Sequence, residues 1–524
     1  MRLLKVGVAA VMAAILTVGH AVAQTDPAPS SSNSTADGSA YVRCDGFPPH
    51  RSAGELAARV LLIMATAGLA GPGERADINK RQSGADGVAA CTAALAGETD
   101  EIRKVQLMLA RAIHHIEAKD YPSALSDAQV APTLAGAKAN EFGFQHSLML
   151  SSLELQGYAL VYLNRPAEAE AVALRMAEIA PYDVITQDHA MRFIGLTPEM
   201  SPAKKIFFDR SARITGSGSR YYAGGLQWAG DYLSAAAMYK ATLDRLDGFK
   251  NEKTPPSPQP ALEAGRAVAL AMGGDLAQST AVAADTRKSI DALMQNGQAY
   301  RAQSVVSEAE ETLDFDAIVI DFATGKVAQA RTAFAARSRW TATPAAPVSD
   351  LTERLRKGAP ASALTGALAR DPASIRSDAL AAWAGALTAA ADSDSKYLYS
   401  AIRPLTSMDQ YSYWNDDIRK TFKSRFLPAK TGKENYTGDF VFMPRANGIA
   451  TGEALLMHCA LLARDDGKAG FVINPYRPRL DAAIVRIGNP GDPGMPPSLF
   501  VDAATVIAAL STQFPDPAAK TASH

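Results

Sequence analysis

The chain has 524 residues, room for several domains at ~150 residues each. Its 53 Lys+Arg and 54 Asp+Glu leave a net charge of −1, which argues against nucleic acid as a partner, because phosphate binding draws on clustered cationic excess. Hydrophobic residues make up 47% and charged residues 20%, which excludes a disordered chain; the apolar share falls heavily on alanine and favours close-packed helices over a β-barrel or sandwich.

The first 23 residues read as a secretory signal peptide. Arg2 and Lys5 form the positive start, Val6 to Val18 the apolar run, and Ala21-Val22-Ala23 a small-x-small cleavage site before Gln24. The run is too short to span a ~30 Å bilayer core, and no later stretch reaches the ~18 apolar residues of a spanning helix. Loss of Arg2 and Lys5 would take the charge from −1 to −3. A periplasmic or secreted location is therefore expected. Residues 24–43 carry the leader TDPAPSSSNSTADGSA, which has no bulky apolar residue and cannot offset the entropy of ordering.

Three cysteines follow. Oxidising conditions outside the cytoplasm permit a disulfide, and Cys44–Cys91 is the expected pair because both lie in the N-terminal segment. Cys459, inside the apolar run Ala454 to Ala463, reads as a buried free thiol. No CxxC spacing supports a zinc or redox site.

The middle of the chain repeats one phrase: helix, tight polar turn, second helix opening on a small residue. The turns fall at Lys119-Asp120, Asn164-Arg165, Gly230-Asp231, Gly274-Asp275 and Gly325-Lys326. Gly or Asn ends the first helix in a left-handed conformation, and Asp or an N1 proline starts the second. Small residues 12 apart let the two helices approach: Ala112 with Ala124, Gly157 with Ala169, Ala223 with Ala235. The pattern resembles the tetratricopeptide repeat over about residues 87–339, with Gly157, Ala169 and Pro181 marking one unit and Gly230, Asp231, Tyr232, Ala235 and Tyr239 another. It departs from the family in period and in lacking the first-helix tryptophan, where Met108, Leu153 and Ser219 stand. The wide gap between the second and third turns leaves room for a further unit around Ile185 to Ile214.

The expected fold is mostly α: a TPR-like α-solenoid of helical hairpins over 44–340, a helical cap over 350–400 anchored by Trp383, and a small α+β module over 404–515. Thr254 to Pro260 reads as a loop and Thr341 to Val348 as a second break. The module is predicted to hold strands at Phe440–Met443, Phe471–Ile473 and Ala483–Ile487, a helix over Gly452–Arg464 and a closing helix over Asp502–Leu510.

No reaction chemistry emerges. His114-His115 diverge by ~100° on a helix and cannot readily share one ion, with His115 expected on a core position. His458 beside Cys459 lacks an orienting acid. Gly216-Ser217-Gly218-Ser219 is not a nucleophile elbow, and Gly432-Lys433 is not a P-loop. Asp416-Asp417 and Asp465-Asp466 lack calcium-loop spacing. No catalytic residue, cofactor or metal is expected.

Two function classes remain. Repeats of this kind, by resemblance, bind a protein or peptide partner on a surface lined by their first helices. The matching positions are Glu154, Tyr158 and Tyr162 in one unit, and Arg220, Gln227 and Trp228 in the next. The alternative is an envelope enzyme whose site lies in the C-terminal module, around Tyr411, Tyr413, Trp414, Arg477 and Arg479, with the repeats recruiting substrate.

Overall fold

The computed structural model describes residues 38–49, 75–248, 259–295, 299–393, 397–402, 439–442, 450–475 and 482–514. The expected signal peptide, most of the leader, the 254–258 loop, the Tyr411–Phe426 aromatics, Gly432-Lys433, Arg477 and Arg479 lie outside these residues. The chain divides into two compact units, Met1–Ala180 with Gly385–Tyr411, and Pro181–Ala384 with Ser412–His524. The division falls inside the helical series, at Ala180.

Unit 1 contains α1 (Ala40–Asp45), α2 (Gly84–Gly97), α3 (Glu101–Glu117), α4 (Tyr121–Val130), α5 (Leu150–Tyr162), α6 (Pro166–Ile179) and α17 (Tyr397–Ile402), the last counted in chain order. Unit 2 contains α7 (Val184–Phe193), α8 (Pro202–Ile214), α9 (Gly218–Trp228), α10 (Tyr232–Gly248), α11 (Pro260–Met272), α12 (Leu276–Gln295), α13 (Ala299–Ala323), α14 (Val327–Ala335) and α15 (Ala345–Arg356). Helix α16 (Pro372–Ser393) places its residues to Ala384 in unit 2. Helices α7 and α8 fill the gap left between the second and third predicted turns.

All five predicted turns join helices, and they share one backbone design. Lys119, Asn164, Gly230, Gly274 and Gly325 each take a positive φ, at 63°, 56°, 77°, 92° and 85°. In each turn the next residue's N–H reaches back five residues: Asp120 to His115, Arg165 to Leu160, Asp231 to Leu226, Asp275 to Leu270, Lys326 to Asp321. These Schellman closures satisfy carbonyls that a helix end would otherwise orphan. Asp120, Asp231 and Asp275 then cap the following helix by accepting the N–H of Ser123, Ser234 and Gln278. The small pairs are buried as expected: Ala112 and Ala124, Gly157 and Ala169, Ala223 and Ala235. The same offsets give Ala267 with Ser279 and Ile318 with Ala330, also buried.

The break at 341–348 is shorter than expected. Helix α15 starts at Ala345 and carries Pro347 in its first turn, where a missing N–H costs no hydrogen bond.

In the C-terminal segment β1 (Asp439–Phe442), β2 (Gly470–Pro475), β3 (Ala482–Gly488) and the two-residue β4 (Val501–Asp502) form an antiparallel sheet in the order β1-β3-β2-β4. Helices α18 (Ala450–Asp465) and α19 (Ala503–Leu510) accompany it, with Asp502 capping α19 through the N–H of Thr505. Cys459 on α18 is buried. The sheet contacts α8 and α10, and Arg213 donates to the Phe500 carbonyl at 2.8 Å. That contact makes this segment part of unit 2.

Cys44 and Cys91 form a disulfide that closes 47 residues and pins α1 to α2. The chain-entropy model values such a closure at ~3–4 kcal/mol. Beside it the expected roles of the two histidines exchange: His114, not His115, is fully buried. The reason is α1, which the repeat pattern does not include. His114 Nε2 donates to the Cys44 carbonyl at 2.7 Å, and Nδ1 lies 2.8 Å from Glu117 Oε2. Burial pushes the Glu117 carboxyl up, but hydrogen bonds from His114 and Arg81 and the Arg81 charge outweigh it and hold it low.

The clamped ring sets a steric test. A Cβ at Gly87 would stand 2.3 Å from His114 Nδ1, and the ring, held at both nitrogens, has nowhere to retreat. Gly87→Ala is expected to cost ~1–3 kcal/mol, read as a lower thermal midpoint. An unchanged midpoint would mean the His114 clamp is not formed.

Candidate interaction site

The six first-helix residues fall into two sets, one in each unit. On α5, Glu154 and Tyr158 are fully buried, and Tyr162 is half-buried. The Tyr162 ring stacks on Tyr121 with centroids 4.4 Å apart. Its hydroxyl donates to Asp392 Oδ1 at 2.9 Å and to the Thr388 carbonyl at 3.2 Å. Burial first, then Asp392, pushes this hydroxyl far above the ordinary tyrosine range. Within unit 1, then, Glu154 and Tyr158 are core residues and Tyr162 is tied down.

On α9 the three residues differ from one another. Arg220 is exposed. Gln227 is only 1% exposed, yet neither its Oε1 nor its Nε2 finds a hydrogen-bond partner among the described residues. Trp228 is half-buried under the Arg376 guanidinium, 5.1 Å from the ring centroid, a cation–π contact worth ~0.5–2 kcal/mol. Between them stands Gly224, where a Cβ would meet nothing within 4 Å. Arg220, Gly224 and Gln227 follow helical spacing and so share one face of α9.

The side chains that complete this region come from α15 and α16. Arg376 Nη1 donates to the Trp228 carbonyl at 3.3 Å, and its Nη2 lies 2.5 Å from Asp350 Oδ1. Asp350 Oδ2 also accepts from the Tyr232 hydroxyl at 2.5 Å. Trp383 meets Tyr221 edge-on, centroids 6.0 Å apart, and donates Nε1–H to the Arg192 carbonyl at 2.8 Å. Burial, chiefly, pushes the Tyr221 hydroxyl up to about 12. Next to Trp228 a cleft of about 420 Å³ opens between Gly230–Leu233, Met272, Gly273, Asp350 and Arg354. Leu233 stands 53% exposed at its edge.

Sequence reasoning placed Trp228 on this surface and marked Trp383 as an aromatic anchor, but it missed Tyr221, Asp350 and Arg376. The usable signal was the seven-residue interval from Arg376 to Trp383, equal to that from Tyr221 to Trp228.

The arrangement offers a cation, an unsatisfied amide and aromatic faces. It holds no nucleophile–base pair. Among the described residues no group of three or more His, Cys, Asp or Glu is placed to hold a metal ion, and no helix is long and apolar enough to cross a membrane. The residues of the enzyme alternative, Tyr411, Tyr413, Trp414, Arg477 and Arg479, lie outside the described residues. No family model, curated protein or solved structure matches the chain.

Proposed function

We propose that the chain is an exported interaction scaffold that receives a protein or peptide partner on the α9 face, in the manner of the tetratricopeptide repeats its hairpins resemble. The observation that carries this reading is Gln227. A buried amide left without hydrogen bonds costs ~1–3 kcal/mol, and such a group calls for an explanation. A partner whose docking moves the covering side chains aside and supplies a donor and an acceptor there removes the cost; at 1% exposure the amide is otherwise out of reach. Gly224 leaves the space for its approach, and exposed Arg220 provides a forked cation of the type that dominates binding hot spots. Export follows from the reading of residues 1–23 as a signal peptide and would place the partner in the periplasm or outside the cell.

A photocrosslinking residue at Gly224 tests the reading in cells expressing the full chain. One discrete protein adduct is expected, reduced at least fivefold by Arg220→Ala or Gln227→Ala. The same crosslinker at exposed Lys240 on α10 should give none. An adduct indifferent to both alanine substitutions, or none at position 224, would end the proposal.

A further inference from the structure

We propose that residues 216–219 and the first turn of α9 bind a phosphate-type dianion, ligated by Ser217 and Arg220 and balanced by the buried charge of Arg245. The site does not depend on the protein-binding reading above.

The leading observation is Arg245 on α10. It is 1% exposed and forms no ion pair among the described residues. Burial, with no opposing charge, pushes it down to about 10, so it still carries its charge at neutral pH. Its Nη1 donates to the Ala212 carbonyl at 3.0 Å and its Nη2 to Ser219 Oγ at 3.4 Å, while Nε finds no partner. Neutral acceptors thus stand where a guanidinium fork is best met by an anion. The acids nearby in sequence do not supply one. Asp244 pairs with Lys240 and Asp209 with Arg213, and Asp247, two residues on, faces another side of the helix. The carbonyl end of α8 at Ala212 offsets about half a charge. The rest is an uncompensated charge in the interior, which is costly unless an anion answers it.

The second observation is where that charge is delivered. Ser219 is the second residue of α9, so Nη2 stands at the first turn of that helix. The helix end adds about half a positive charge of its own. Close packing fixes the turn: a Cβ at Gly218 would stand 2.4 Å from the Ser211 carbonyl oxygen, and the Gly218 N–H is spent on Thr215 Oγ1 at 2.8 Å. Ser217, the residue before the helix, makes no side-chain cap bond and is exposed. Beside it a Cβ at Gly216 would meet nothing within 4 Å, which leaves room for a ligand. Arg220 is exposed, three residues after Ser217, and forms no ion pair among the described residues. An ion at the Ser217 hydroxyl is therefore within reach of the Arg220 fork. Arg245 lies beneath and need not touch it, because charge acts strongly across a dry interior. Two guanidinium groups and a helix end exceed what one carboxylate neutralises. A phosphate-type ion carries nearly two charges and suits bidentate contact with arginine.

The test uses the full chain and inorganic phosphate. Replacing chloride by about 10 mM phosphate at equal ionic strength should raise the wild-type midpoint by roughly 3 °C. Calorimetric titration should give a dissociation constant about tenfold weaker for Arg220→Ala and unchanged for Lys240→Ala. Arg245→Met should melt no lower than wild type in chloride and should lose the phosphate shift. If Arg245 is only a staple between α8 and α9, the variant melts lower in both buffers and wild type shows no shift, which overturns the proposal. A wild-type shift that Arg220→Ala retains overturns it as well. Should Arg245→Met not fold, Ser217→Asp decides: a carboxylate fixed at the site should abolish phosphate binding, and retained binding overturns the proposal. Phenyl phosphate separates the sources. Binding as tight as that of phosphate assigns the site to a phosphoryl group on a larger ligand, and no binding assigns it to the free ion; either upholds the site. The position-224 adduct is a separate measurement, so this site and the protein-binding reading can fail independently.

Discussion

Asp45→Ala is expected to destabilise unit 1 by about 3–5 kcal/mol, the cost of leaving a buried charge without its partner. Asp45 and Arg103 are 3% and 2% exposed, so neither charge is recovered by water. The guanidinium meets the carboxylate through two bonds, Nη1 to Oδ2 at 2.5 Å and Nη2 to Oδ1 at 2.9 Å. Nη2 also donates to the Phe47 carbonyl at 2.9 Å, and Tyr399 donates to the Asp45 carbonyl at 2.7 Å. The pair thus gathers α1, the chain after it, α3 and α17 at one point. The disulfide at the adjacent Cys44 cannot stand in for it, because a covalent tether does not solvate a guanidinium. Urea titration with the disulfide intact measures the loss. The control is Asp45→Ala with Arg103→Met, which removes the stranded charge and should recover most of the stability, since apolar replacement of a buried pair is often near neutral. A single variant no worse than the double one would show that the pair is solvated in solution.

What the sequence disclosed and what it withheld divide along physical lines. The turns were readable because most spell their own geometry: Asn164, Gly230 and Gly274 tolerate positive φ and are followed by an N1 proline or an Asp, while Gly325 has the glycine but Lys326 after it. Lys119 departs in the other half of the pattern, an ordinary residue at φ 63° that only the spacing of Asp120 and Pro122 betrays. The 12-residue small pairs were readable because close helix approach excludes large side chains. The disulfide partner followed from position, and β2, β3 and α18 from their apolar runs, whereas two-residue β4 carries no pattern of its own.

Accessibility was not readable. Glu154 and Tyr158 on α5 and Gln227 on α9 each lie on the helix before a turn, but whether such a position is open depends on what packs over it. Elements outside the repeat pattern decide this: the early residues of α16 at Trp228 in unit 2, and α1 at His114 in unit 1. Their contacts, the disulfide and the Arg103 and His114 bonds for α1 and Ile375 with Arg376 for α16, are marked by no periodicity. For the same reason His114 rather than His115 is the buried histidine.

Glu453→Gln is expected to raise stability by on the order of 4 kcal/mol at pH 9 and to change it little near pH 4, the size that follows when burial carries a carboxyl from its ordinary range up to about 8. Glu453 on α18 and Asp183, the residue capping α7, are both fully buried in unit 2. Desolvation, then the Asp183 charge, pushes Glu453 up to about 8, against which the Gln513 hydrogen bond at 2.8 Å is the weaker effect. Desolvation likewise pushes Asp183 up to about 7, opposed by its bonds from Thr186 and helped by the Asp188 charge. The sign follows from linkage. Both folded-state values lie above the unfolded ones, so the fold holds protons that the unfolded chain releases. These groups favour the fold fully below about pH 4, lose that contribution as pH rises through 7 to 8, and lose no more once the folded carboxyls ionise. Glutamine keeps the shape, can still accept from Gln513, and has no proton to lose. Its stability curve should therefore be flatter than wild type between pH 5 and 8, with the two curves diverging upward. Denaturation midpoints at pH 4, 6, 8 and 9 measure the divergence. Parallel curves would mean that Glu453 is already ionised and compensated at neutral pH, and the buried carboxyl pair would no longer account for any alkaline loss of stability.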